Sequence, residues 1–243
     1  MKVAVLSDIH ANRHAFEAVL ESVRETDSSE IWCLGDIVGY GAEPDACVEL
    51  AREHAAVCLA GNHDLAVTGE LDLEEFSTGA RIAAEWTREV LAPEHTRFLE
   101  GLEPSGSESG VGLYHASPRD PIWEYVTSAL QADLCMDVQN GRVSFVGHTH
   151  IALAYRRPEA SNASGDRRED GDILDLSRDK WLINPGSVGQ PRDNDPRAAW
   201  LELDVELMTA RFHRVDYDIE GAAGAIRAAR LPEALADRLE HGC

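Results

Sequence analysis

Apolar residues recur along this chain in two rhythms that take turns. Residues 3–6, 31–34, 56–60, 111–114 and 143–146 are short, nearly continuous apolar runs, the pattern of strands buried on both faces. Between the first two runs, Ala15, Phe16, Val19, Leu20 and Val23 follow the 3.6-residue period of an amphipathic helix, with Asn12 placed as its N-cap. This predicts a strand–helix–strand unit, and parallel strands joined in that way put ligand sites at their carboxyl ends. Pro44 opens a second helix that turns Ala46, Cys47, Leu50 and Ala51 inward. Residues 73–102 read as helical, with Phe76, Ile82, Ala83, Trp86 and Val90 on one stripe and a break at Pro93. Residues 129–138 predict another helix, and the polar stretch 158–172 an exposed loop. Strands are expected at 173–176, 181–183, 199–203 and 211–215, and a helical tail at 219–239. No internal repeat is visible, and 243 residues suit one α/β domain over 1–243.

Charge narrows the choice of partner. With 22 basic and 44 acidic residues the net charge is −22, which repels a polymeric nucleic acid or an anionic membrane surface. A small phosphorylated substrate held through metal remains open. Only Lys2 and Lys180 are lysines, and so acidic a surface suits a salt-rich interior. Cys33, Cys47, Cys58, Cys135 and Cys243 are odd in number and contain no Cys-x-x-Cys pair. They indicate reduced thiols in a cytoplasmic protein. The apolar run 3–6 is too short for a signal peptide, and no run reaches the roughly 18 residues of a membrane span.

The chemistry gathers where the apolar runs end. They run into Ser7-Asp8-Ile9-His10, Gly35-Asp36, Gly61-Asn62-His63-Asp64, His115-Ala116-Ser117 and Gly147-His148-Thr149-His150. Each has a structural explanation by itself: a turn aspartate, a capping asparagine, a histidine bonded to a carbonyl. Together, Asp8, His10, Asp36, Asn62, His115, His148 and His150 are an oxygen and imidazole donor set without thiolate. Such a set suits manganese, iron, zinc or a similar divalent ion rather than calcium. Seven donors exceed the needs of one ion and fit two that share a carboxylate. His14, His54 and His95 fall on helices and are expected to face solvent.

These five motifs, in this order, resemble the calcineurin-like metallophosphoesterase superfamily. Asn184-Pro185-Gly186-Ser187-Val188-Gly189-Gln190-Pro191-Arg192 is similar to a compact prokaryotic branch that includes small phosphodiesterases. The resemblance implies a four-layer α/β/β/α sandwich of two mixed sheets with a dimetal site at the strand ends. It implies one ion on Asp8, His10, Asp36 and His150 and a second on Asp36, Asn62, His115 and His148, with manganese first and iron, zinc, nickel or cobalt as alternatives. Hydroxide from a water shared by the ions would attack the phosphoester, Asn62 would lie beside the substrate, and His63 would serve the leaving group. Asp64 would orient His63. The protein phosphatases of the superfamily carry Asp-Arg-Gly after their Gly-Asp, where this chain has Gly39-Tyr40-Gly41. That departure points away from phosphoproteins, toward a small phosphodiester. A phosphomonoester or a dinucleoside polyphosphate is the alternative, and a non-catalytic scaffold the remote one. Arg192 is the candidate phosphate clamp, competing with a salt bridge to Asp193 or Asp195; Arg13 ranks below it.

Overall fold

The computed structural model describes residues 1–243. In chain order it runs β1 (Lys2–Leu6), α1 (Arg13–Arg24), β2 (Ser28–Cys33), α2 (Pro44–His54), β3 (Val57–Cys58), α3 (Asn62–Thr68), α4 (Thr78–Val90) and α5 (Pro93–Leu99). There follow β4 (Ser105–Glu108), β5 (Val111–Tyr114), α6 (Ala129–Val138), β6 (Val143–Phe145), β7 (Ala152–Arg157), β8 (Ser164–Arg167) and β9 (Ile173–Asp175). The chain ends with β10 (Lys180–Pro185), β11 (Ala198–Asp204), β12 (Thr209–Val215), α7 (Ile219–Ala228) and α8 (Glu233–His241).

The strands form two six-stranded mixed sheets, ordered β3-β2-β1-β11-β12-β9 and β4-β5-β6-β10-β7-β8. Alternation along each strand explains why the runs are apolar throughout. Val3, Val5, Trp32, Leu34, Leu201 and Leu203 of the first sheet meet Leu113, Val143, Phe145, Trp181 and Ile183 of the second in one core. The intervening Ala4, Leu6, Ile31, Cys33 and Trp200 turn to the other face, against Phe16, Val19 and Leu20 of α1 and Cys47, Val48 and Ala51 of α2. On the outer face of the second sheet, Ala132, Cys135 and Met136 of α6 pack on Tyr114, Leu153, Tyr155 and Leu182. The result is the expected four-layer α/β/β/α sandwich, with each fully buried large apolar side chain contributing about 1.5–3 kcal/mol. No helix is long and apolar enough to cross a membrane.

Four local expectations change. The stretch 158–172 contains β8, which pairs antiparallel with β7, so backbone pairing overrides its polar composition. The tail is two helices, because Pro232, which has no N–H to continue a helix, precedes α8. The helix over 78–90 buries Ala80, Ala83, Ala84 and Thr87 and leaves Ile82 and Val90 exposed. Alanines let it lie close to its neighbours where the larger side chains would not fit. Finally, His95 is mostly buried, its Nδ1 2.5 Å from Asp45 Oδ1; it ties α5 to α2 instead of facing water.

Candidate metal centre

Five strand ends converge at one edge of the sandwich. Asp8 and His10 follow β1, Asp36 follows β2, Asn62 and His63 open α3 after β3, His115 follows β5, and His148 and His150 follow β6. All are buried. Asp8, His10, Asp36, His148 and His150 adopt positive φ, from 51° to 64°, a conformation that costs a side-chain-bearing residue of order 1 kcal/mol or more. Hydrogen bonds hold the loops in it: Asp8 N donates to Gly35 O at 3.0 Å, His10 N to Asp36 O at 2.9 Å, and Gly147 N to His115 O at 2.7 Å. Two glycines permit the approach. A Cβ on Gly61 would lie 2.0 Å from Asp36 Oδ1, and one on Gly147 would lie 1.9 Å from Ser7 Oγ.

The donors fall into two groups that share Asp36. Asp8, His10, Asp36 and His150 make one, and Asp36, His115 and His148 the other, with the donor atoms of each within 4.8 Å of one another. Asp36 Oδ2 lies 3.5 Å from both His10 Nε2 and His115 Nε2. Asn62 Oδ1 stands 3.2 Å from His115 Nε2, beside the second group. The outward nitrogens are anchored: His10 Nδ1 bonds to Val38 O (3.2 Å), His115 Nδ1 to Leu34 O (2.9 Å) and His150 Nδ1 to Gln190 O (2.7 Å). A carbonyl only accepts, so each Nδ1 carries the hydrogen and each Nε2 presents a lone pair inward.

This arrangement fits divalent cations. The lone pairs of His10 Nε2 and His150 Nε2 face each other at 3.0 Å, a repulsive contact that a cation between them turns attractive. Asp36 Oδ2 and His148 Nε2 are buried without a hydrogen-bond partner, a costly state for a polar group that is not a ligand. Burial also pushes the Asp8 carboxyl up to about 7 and the Asp36 carboxyl well above the ordinary range, the latter helped by the neighbouring Asp64 charge. It holds the His10, His148 and His150 imidazoles well below their usual range, hence neutral and able to ligate.

Asp64 is placed differently from its expected role. Its carboxylate accepts the backbone amides of Gly61 (2.9 Å), Val38 (3.0 Å) and Ile37 (3.2 Å), and it makes no hydrogen bond to His63. It clamps the 36–38 loop to the start of α3. His63 lies in the cleft with its Nδ1 unpartnered, packed edge-on against Phe76 at 5.1 Å between ring centroids. Burial, then Arg192 and His115, push its imidazole down to about 3.

Arg192 lines the same cleft, which also exposes Tyr40, Trp123, Tyr125 and Glu75. Its guanidinium lies 5.6 Å from the Tyr40 ring centroid and bonds to Gln190 Oε1 at 2.9 Å. The acids that competed for it are engaged elsewhere, Asp193 with Arg214 and Asp195 with Arg197. Arg13 instead pairs with Glu43 at 2.7 Å.

Sequence patterns missed a second set of residues, those that hold the donor loops. Asn184 Nδ2 donates to Gly147 O (2.6 Å) and Thr149 Oγ1 (2.9 Å), and Ser187 Oγ to Asp8 O (2.8 Å). The segment 184–192 thus buckles the β1 and β6 loops together before it presents Arg192. The sequence marked the segment by its likeness to a prokaryotic branch, but not the bonds that Asn184 and Ser187 make. Trp123 and Tyr125 sit in irregular chain that carried no signal.

The two-sheet sandwich and its buried carboxylate–imidazole cluster define a metallophosphoesterase. The chain belongs to the calcineurin-like phosphoesterase superfamily, whose domain profile matches residues 1–206. An uncharacterised protein of Methanocaldococcus jannaschii is 41% identical over 244 residues, covering 98% of this chain and 96% of that protein. The crystal structure of a metallophosphoesterase from Sphaerobacter thermophilus superposes with a TM-score of 0.91 at 43% identity, covering 100% of this chain and 99% of that one. A hypothetical protein from Pyrococcus horikoshii shares the fold at 20% identity, with a TM-score of 0.80 and coverage of 100% and 98%.

Proposed function

We propose that this protein is a dinuclear metal-dependent phosphodiesterase acting on a small phosphoester. The observation that carries the reading is Asp36 Oδ2, buried, unpartnered and equidistant from the imidazoles of two donor groups. Asp8, His10, Asp36 and His150 would hold one divalent ion, manganese being the first candidate, and Asp36, Asn62, His115 and His148 a second. Bound there, the ions would supply charge neutralisation for the phosphoryl oxygens and a water acidic enough to attack near neutral pH. The rest is the work of the chain. Arg192, free of carboxylate partners, binds a non-bridging phosphoryl oxygen through paired N–H donors. Asn62 orients the phosphoryl group, and His63, kept neutral by its burial, stabilises the charge that develops on the leaving oxygen by a hydrogen bond from its ring N–H.

A diester suits the cleft better than a monoester. Arg192 is the one arginine lining it, and Gly39-Tyr40-Gly41 carries no second arginine to grip a terminal phosphate. The five free thiols support a reducing, cytoplasmic setting. Strands from both halves of the chain pair within each sheet, which supports reading 1–243 as one domain.

Hydrolysis of bis(p-nitrophenyl) phosphate against p-nitrophenyl phosphate by manganese-loaded protein tests this. The diester is expected to give the higher kcat/KM. A preference for the monoester would reassign the protein as a phosphomonoesterase, and no cleavage of either with any divalent ion would favour the scaffold reading.

A further inference from the structure

The walls of the cleft are not explained by the hydrolysis of a phosphoester alone. Phosphate needs the donor groups and Arg192, yet Phe76, Trp123 and Tyr125 flank them around a space of about 120 Å³ that opens to solvent. These rings come from two separate connections, 69–77 between α3 and α4 and 115–128 between β5 and α6. Phe76 and Trp123 meet edge to face with centroids 5.2 Å apart, joining the two connections across the cleft. The Tyr125 ring lies over His148 at 4.0 Å, tilted by 31°, and the residue is 46% exposed. The site therefore offers aromatic surface to water directly beside the phosphate seat, in a chain with only five each of Trp, Tyr and Phe. Flat rings held by packing are costly to leave wet and recognise other flat rings by stacking.

Resting on the phosphodiesterase reading, we propose that this cleft seats a planar aromatic group esterified to the phosphate, with Trp123 and Tyr125 as its specificity-determining residues. A nucleoside or an aryl group would satisfy the walls. An alkyl, glyceryl or aminoalkyl ester would gain nothing from them.

Three diesters with one leaving group isolate the effect: ethyl, phenyl and thymidine 5′ esters of p-nitrophenyl phosphate. Because p-nitrophenolate leaves from each, differences in kcat/KM report the retained group. A stacked group is expected to raise kcat/KM about tenfold or more over ethyl. Thymidine above phenyl identifies a nucleoside, and equality of those two above ethyl an aryl group; three equal values, together with equal affinities for phenylphosphonate and ethylphosphonate that exclude the nitrophenyl ring itself filling the seat, overturn the proposal while leaving the phosphodiesterase reading intact. Tyr125→Ala and Trp123→Ala should collapse the aromatic-to-ethyl ratio toward one, whereas Tyr125→Phe should keep it. Ratios that both alanine variants preserve would overturn the residue assignment. If no ester is cleaved, calorimetry on metal-loaded protein still decides: phenylphosphonate binding about tenfold more tightly than ethylphosphonate supports the aromatic seat, and equal affinity removes it.

Discussion

Asp36 uses its two carboxylate oxygens differently. Oδ1 accepts the His63 amide at 2.8 Å, and Oδ2 faces the two donor groups. Asp36→Asn keeps the shape and removes the shared charge, so the proposed complement of two ions per chain, measured by plasma mass spectrometry, should fall to below one. Two neighbours separate stability from catalysis. Asp64→Ala leaves three buried amides unpaired and should cost about 3 kcal/mol or more, lowering Tm by roughly 6–12 °C. His63→Ala removes no hydrogen bond of its own side chain and should hold Tm within a few degrees while turnover falls about 100-fold or more. Near-wild-type turnover in the second variant would refute the leaving-group role. Titration adds a pH signature. Without metal, Asp8 holds its proton up to about 7 against 3.8 for a free carboxyl, so the folded state binds protons that the unfolded chain releases. Stability from that group declines as pH rises from about 4 to about 7. The depressed imidazoles of His10, His148 and His150 act oppositely, withdrawing stability as pH drops below the ordinary 6.5. Divalent ions relieve the carboxylate penalty and compete with protons for all of these groups. Saturating manganese should therefore raise Tm by about 5–10 °C at pH 8, and by clearly less at pH 5.5.

At the scale of elements, strands were easier to read than the turns that make them useful. A strand buried on both faces is an unbroken apolar run, so β1, β2, β5 and β6 stood out, and with them the donors at their ends. The weaker elements lacked that signature. α3 begins at its donors, and its start depends on Asp64 reaching back to the Gly61 amide. β8 is polar because three of its four residues, Ser164, Asp166 and Arg167, are exposed to solvent. The 184–192 segment was visible as a motif, but its buckling role was not, because that work is done by bonds to distant loops. Its importance can be measured: Asn184→Ala frees Gly147 O and Thr149 Oγ1 at once and should loosen the loop that carries His148 and His150. Manganese affinity is expected to weaken about 10–100-fold, with secondary structure unchanged by circular dichroism. An unchanged affinity would reduce Asn184 to a packing residue.

For the whole molecule, composition foretold charge but not topology. Interleaving of β11 beside β1 and of β10 between β6 and β7 arises from long-range pairing that no local window contains. Charge was readable at once, and its consequence is physical. A net charge of −22 repels itself in the folded state more than in the expanded chain. Salt weakens that repulsion as the Debye length shrinks from about 30 Å at 0.01 M to about 3 Å at 1 M. It also weakens exposed ion pairs such as Arg227–Glu233, but each contributes only about 0–1 kcal/mol. With acidic residues twice as numerous as basic ones, relief of repulsion outweighs loss of attraction. Tm should rise by about 5 °C or more between 10 mM and 1 M potassium chloride, since each kcal/mol moves it by about 2–4 °C. Potassium sulfate at matched ionic strength separates the causes. Equal gains in both salts indicate screening, a gain in sulfate alone indicates exclusion of a kosmotrope from the surface, and a Tm indifferent to either would remove the case for adaptation to salt.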